Sequence, residues 1–186
     1  MTTNIKQLTN KRKRWVEANR ENGFENGIKL LLTNLYPDNA HFIYELLQNA
    51  EDAGASEVRF TLKDDRVKFE HNGERLFSMK DVKSITSIGE STKKDDPTSI
   101  GKFGIGFKAV FAYTSTPEIQ SGDYHFCIHD LVVPDTEGIS PSLHGQMDTC
   151  FVIPFDNPSK PPEIARAEIE YNLGQLNENT LLFLSN

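Results

Sequence analysis

Cysteine is scarce in this sequence: Cys127 and Cys150 are the only two in 186 residues. Both fall in strand-like stretches, where Cys behaves as a small buried apolar residue, and two thiols make no disulfide framework. A reducing compartment is the expectation. No apolar run approaches the roughly 20 residues that span a bilayer. Met1–Asn10 also lacks the apolar centre of a signal peptide. A cytoplasmic protein without a membrane segment follows. Positive charge is in deficit too, with 20 Lys and Arg against 27 Asp and Glu and a net charge of −7. A nucleic-acid-binding face is therefore not indicated. The one basic cluster, Lys11-Arg12-Lys13-Arg14, reads as a solvated helix face or a flexible arm. Repeats and low-complexity segments are absent.

What is present suits one globular domain with a short extension. Hydrophobic residues make up 37% and include 12 Phe, and a chain of this length buries roughly 70% of its unfolded surface. Helical spacing predicts helices over Lys11–Asn19, Phe24–Leu35 and about Asn39–Ala53. Pro37 stops the second, Asp38 or Asn39 caps the third, and Gly54 ends it. Alternation predicts strands at Glu57–Leu62 and Val67–Phe69 around a turn at Asp64-Asp65. A short helix over Ser78–Ser87 carries an acidic capping box, Ser78 with Asp81. Further on, Phe107–Tyr113 reads as helix, and strands follow at Glu118–Ser121, Tyr124–His129 and Thr149–Phe155. The tail from Pro161 is helical and stops on Leu181-Leu182-Phe183-Leu184 without a cap, as a chain cut from a longer protein would. Helices first, then strands mixed with helices, favours an α+β sandwich over a doubly wound sheet.

Two segments carry chemistry. At about 100° per residue, Glu45, Asn49 and Asp52 share a wedge of roughly 60° on the third helix. Ile43, Leu46, Leu47, Ala50 and Ala53 gather opposite. The polar side holds Glu, Gln, Asn and Asp but neither Lys nor Arg, unlike the mixed charges of a solvated face. Such oxygens suit Mg²⁺, which keeps several waters, and a carboxylate can orient or deprotonate water. The second segment is Ser99-Ile100-Gly101-Lys102-Phe103-Gly104-Ile105-Gly106-Phe107-Lys108, inside a Gly-, Ser- and Thr-rich stretch from Ile88. Closely spaced glycines let backbone N–H groups approach an anion, and the helix starting near Gly104 adds its positive end. A flexible hinge is the other reading of that loop. Its spacing, GxxGxG, reverses the dinucleotide fingerprint. A P-loop would need Gly at Asp96 and Ser or Thr at Phe103. Lys102, Lys108 and Ser91-Thr92-Lys93 add phosphate donors.

Taken together, Glu45-x-x-x-Asn49-x-x-Asp52, His71-Asn72-Gly73 and the glycine loop resemble the GHKL ATPase superfamily of gyrase, the ninety-kilodalton heat-shock chaperone, histidine kinases and MutL. The text from Phe42 through Phe111 looks most like the sacsin-like branch, and the resemblance covers roughly Leu30–Phe155. It implies a two-layer α/β sandwich of the Bergerat type with a mixed, mainly antiparallel sheet. Residues 24–160 would form the ATP-binding domain, with an arm over 1–23 and a helical extension over 161–186. The resemblance further implies Glu45 as general base, Asn49 as the Mg²⁺ ligand, and Asp52 on the sugar–adenine side. Gly101, Gly104 and Gly106 would cover phosphate, with Lys102, Phe103 and Ile105 between them and Phe107 and Lys108 following. Thr149 matches the strand threonine that reads adenine through water. The family reads adenine with an aspartate, and here that position is His71, with Arg75 at a glycine position. Mg²⁺-dependent ATP binding and slow hydrolysis, with lid closure moving a larger multidomain protein, is the implied function. ATP and ADP, an ATP-dependent homodimer and downstream domains are the implied partners. A non-hydrolysing nucleotide switch and a nucleotide-independent interaction module are the alternatives.

Overall fold

A computed structural model describes residues 2–23, 27, 41–88, 106–137, 139 and 147–176. Its order is α1 (Thr2–Glu21), α2 (Phe42–Asp52), β1 (Val58–Leu62), β2 (Arg66–His71), α3 (Met79–Ile85), a 3-10 helix (Gly106–Ala112), β3 (Glu118–Ser121), β4 (Tyr124–His129), β5 (Val133–Asp135), β6 (Thr149–Pro154) and α4 (Pro162–Gly174). The six strands form one open sheet in the order β1-β2-β6-β3-β4-β5. Every pairing among the described residues is antiparallel. Where a mixed, mainly antiparallel sheet was expected, the described strands are antiparallel throughout. The class, α+β, stands.

One face of the sheet carries the core. Val67, Phe69 and His71 on β2 lie opposite Ile153, Phe151 and Thr149 on β6, and their side chains share that face. Above them α2 buries Phe42, Ile43, Leu46, Leu47 and Ala50, and the 3-10 helix buries Phe107 and Val110. Phe107 meets Phe151 at 5.8 Å between ring centroids, and Phe42 meets Tyr113 edge-on at 5.4 Å. α4 adds the fully buried Ala165 and Ile169. Burying side chains of this size stabilises by roughly 1.5–3 kcal/mol each. The core thus anchors α2 firmly over β2 and β6.

Local sequence explains the element ends. Gly54, at φ +75, follows α2 as a left-handed C′ residue. Its N–H and that of Ala55 donate to the carbonyls of Glu51 and Ala50, at 2.8 and 2.9 Å, which is a Schellman closure. At α3 the Asp81 carboxylate accepts from the Ser78 N–H at 2.8 Å, as the capping box predicts. α1 is longer than the sequence pattern implied. It lies along the β5 edge, where the Thr9 hydroxyl donates to Pro134 O at 2.6 Å. Ile5 and Leu8 join the main core, and Val16 packs with Val132 and Val133. The predicted helix over Phe24–Leu35, the Asp38 or Asn39 cap and the tail at Leu181–Leu184 lie outside the described residues. No helix among the described residues is long and apolar enough to cross a membrane.

Candidate functional site

α2 carries the site because it turns Asn49 of its polar stripe into the protein, with Glu45 and Asp52 half-buried on the same side. Asn49 is only 2% exposed. Among the described residues neither its amide nitrogen nor its amide oxygen has a hydrogen-bond partner. An amide buried in this way costs about 1–3 kcal/mol, and native structures seldom leave one unmatched.

One turn earlier stands Glu45. Its carboxylate lies against Gly106, at the start of the 3-10 helix. A Cβ on Gly106 would come within 3.0 Å of Cδ, Oε1 and Oε2 of Glu45. The glycine is there to let backbone and carboxylate meet. Burial raises the Glu45 pKa, while the neighbouring His41 lowers it through charge and a side-chain hydrogen bond. His41 Nε2 is 3.4 Å from Glu45 Oε1. Sequence reading passed over His41, although its i,i+4 spacing from Glu45 was the available signal.

At the other end of α2, Ala53 presses on the turn after β2. A Cβ on Gly73 would lie 2.7 Å from Ala53 Cβ and 2.9 Å from the Ala53 carbonyl. His71, 3% exposed, accepts the Gly73 N–H at Nδ1 over 3.1 Å. Burial pushes its imidazolium down to about 4, against a smaller opposing pull from Asp148. Across the sheet, Thr149 shares a 2.7 Å hydrogen bond with Ser121. Asp52 is half-buried on the last turn of α2. One edge of α2 therefore carries Glu45 against Gly106, Asn49 one turn on, and at its far end the Gly73 turn that follows His71.

Two predicted residues have other work. The Asn72 side-chain oxygen Oδ1 accepts the N–H groups of Ser56 and Glu57, at 3.0 and 2.9 Å, and its Nδ2 donates to Ser56 Oγ at 2.9 Å. It ties the α2–β1 loop to the end of β2. Lys108 is buried, and its ammonium donates to Ile85 O at 2.7 Å and to Leu131 O. Leu131 sits at φ 68, so the lysine holds a left-handed turn in place. Burial pushes Lys108 down to about 7, with Arg12 adding repulsion. Phe107 is a core residue. Ser91, Thr92, Lys93, Gly101, Lys102, Phe103, Gly104 and Ile105 lie outside the described residues.

Chemically, this edge offers a carboxylate beside a backbone approach, an unmatched amide one turn away, and a neutral imidazole with two hydroxyls beyond. Among the described residues no three His, Cys, Asp or Glu converge as a metal site. A hard cation held by one amide together with a ligand's own oxygens needs no such cluster. Over residues 70–149, which take in His71, Lys108 and Thr149, the chain matches the Sacsin domain.

The chain is sacsin-like.

It is 39% identical over 104 residues to sacsin of Homo sapiens, covering 47% of this chain and 2% of that protein. It is 34% identical over 153 residues to Protein NO VEIN of Arabidopsis thaliana, covering 69% of this chain and 6% of that protein. A putative type II restriction enzyme, HgiDII of Herpetosiphon aurantiacus, is 29% identical over 103 residues, 52% of this chain and 17% of that protein. The sacsin-like chain thus spans a small part of each relative.

Proposed function

We propose that this sacsin-like domain binds ATP with Mg²⁺ and hydrolyses it slowly, within a larger protein that the reaction drives through lid closure. The observation that carries the reading is Asn49, whose buried amide has both atoms unpartnered among the described residues, one turn from Glu45. A Mg²⁺–phosphate group is a ligand that such an amide oxygen fits. Mg²⁺ at Asn49 would neutralise phosphate oxygens and fix their orientation.

The remaining roles follow from the chain's own groups. Glu45 orients water and takes its proton, with His41 holding the carboxylate. Gly106 keeps the backbone close enough to exclude a side chain between Glu45 and the phosphate end. Asp52, His71 and Thr149 lie toward the base end. The helices over one face of an antiparallel sheet favour the finer assignment to the GHKL superfamily and its Bergerat-type sandwich. ATP-dependent homodimerisation and coupling to downstream domains belong to the same proposal.

Glu45→Ala tests it. In a hydrolytic domain this variant keeps Mg²⁺-dependent nucleotide binding and loses turnover by several orders of magnitude. A non-hydrolysing switch is the second reading, favoured by His71 where the family carries aspartate. It predicts binding with no turnover in either protein. Absence of binding by any nucleotide contradicts both and leaves an interaction module.

A further inference from the structure

The 3-10 helix that brings Gly106 to Glu45 supports itself weakly, because its tighter hydrogen bonds have poorer geometry than those of an α-helix. Its side chains set its position. Phe107 is fixed in the core against Phe151. Lys108, two residues after Gly106, is 3% exposed and donates from Nζ to Ile85 O at 2.7 Å and to Leu131 O. Ile85 is the last residue of α3 and is fully buried. Lys108 therefore ties the 3-10 helix to α3 on one side and to the turn between β4 and β5 on the other. A buried ammonium is costly unless its protons are matched. An apolar side chain could fill the same space, so what the lysine adds is a grip on two carbonyls.

The turn between β4 and β5 is itself held from outside. Asp130 and Leu131 stand at φ 47 and 68, left-handed values that residues other than glycine keep only where neighbours enforce them. α1 supplies that enforcement. Its Arg20 reaches Asp130 at 3.5 Å, and its Thr9 holds Pro134 O. Its Val16 packs with Val132 and Val133, and Leu131 and Ile88 lie against the same cluster. From the same helix Arg12 adds charge repulsion at Lys108. A continuous series of contacts thus runs from α1 through Leu131 and Lys108 to Gly106 and Glu45.

We propose that Lys108 is a positioning residue that keeps Gly106 against Glu45, and that the packing of α1 on the Leu131 turn sets how firmly it does so. For turnover this rests on the nucleotide-site reading above; for the geometry it does not. Loosening α1 frees Leu131, Lys108 loses one of its two acceptors, and Gly106 moves off the carboxylate. Glu45 then loses its fixed position, while the groups assigned to nucleotide binding stay in place.

Gly106→Ala probes that contact in the ligand-free protein, because Glu45 resists the new methyl only where Gly106 is held in place. Denaturant titration gives the stability lost on adding the methyl in wild type, Val16→Ala and Lys108→Met. The expected loss is smaller by about half or more in Lys108→Met, and smaller by a lesser amount in Val16→Ala. Equal loss in all three backgrounds overturns the proposal and leaves Lys108 a structural donor. If Lys108→Met does not fold, Val16→Ala decides alone, and an equal loss there overturns it. In the turnover assay Val16→Ala lowers kcat about tenfold at unchanged KM, and lowers it no further in Lys108→Met. Effects on kcat that multiply, or a change in KM alone, contradict the relay from α1. A wild type without turnover removes the nucleotide reading, and the ligand-free titrations still decide the hold on Gly106.

Discussion

Replacing Gly106 by alanine puts a methyl group where the Glu45 carboxylate now lies. The new Cβ would fall within 3.0 Å of three Glu45 atoms, and carbon and oxygen settle at about 3.5 Å. Gly106 is outside the left-handed region, so the alanine backbone is unstrained and the carboxylate must give way by about 1 Å or more. Glu45 is 23% exposed at its side chain and beside His41, so it can swing outward, but not freely. Overpacking of this kind costs about 1–3 kcal/mol. Reduced freedom of the unfolded chain returns about 0.4–1 kcal/mol. The net loss is about 1–2 kcal/mol by denaturant titration. Turnover falls further, by about 100-fold, because a 1 Å displacement of a reacting group is felt at that scale. In the Glu45→Ala background the methyl has room. There Gly106→Ala is neutral or stabilising by about 0.4–1 kcal/mol. A four-protein cycle therefore shows coupling of about 1–3 kcal/mol. Equal cost in both backgrounds, or turnover at the wild-type level, refutes the reasoning.

Asn49→Leu, similar in volume and without the unmatched amide, raises the stability of the ligand-free protein by about 1–3 kcal/mol in thermal or denaturant melts; destabilisation by more than 1 kcal/mol, on the order of a lost hydrogen bond, contradicts an orphaned amide. The His71 pKa is about 4 in the fold against an ordinary 6.5, so the unfolded chain binds more protons between these. Stability is then fully present above about pH 6.5 and falls by up to about 3 kcal/mol as pH drops to 4; a His71→Asn variant lacks that fall. For Lys108 the folded value is about 7 against an ordinary 10.5. Wild-type stability rises from pH 7 to 10.5 relative to Lys108→Met, which also loses about 2 kcal/mol or more at pH 7 because two carbonyls lose their donor.

Periodicity made most elements legible. α2 was readable from its apolar side and Gly54, and β3 and β4 from alternation, because burial on one sheet face imposes a period of two. β5 was not, since it has three residues with Pro134 in the middle, tolerable on an edge strand but invisible to alternation. The stretch Phe107–Tyr113 reads as helix, and residues Gly106–Ala112 fold as a 3-10 helix. The placement of Glu45 and Asn49 together was legible from spacing because both lie on one helix. Lys108 was not, because a lysine beside glycines resembles a phosphate donor until Ile85 and Leu131 are folded around it. Asn72 likewise depends on Ser56 and Glu57, brought close by pairing of β1 with β2. Tertiary partners decided those two residues, and spacing along the chain carried no trace of them.

Calorimetric titration with a non-hydrolysable ATP analogue, with and without Mg²⁺, on wild type and folded Asn49→Leu tests the central claim most directly. Saturating heat in wild type that weakens at least tenfold without Mg²⁺, and is lost in Asn49→Leu, is the predicted result; ligand at 100 times Kd should also stabilise wild type by about 2.7 kcal/mol. Binding that is indifferent to both Mg²⁺ and Asn49, or no binding with ATP, GTP or ITP, contradicts it.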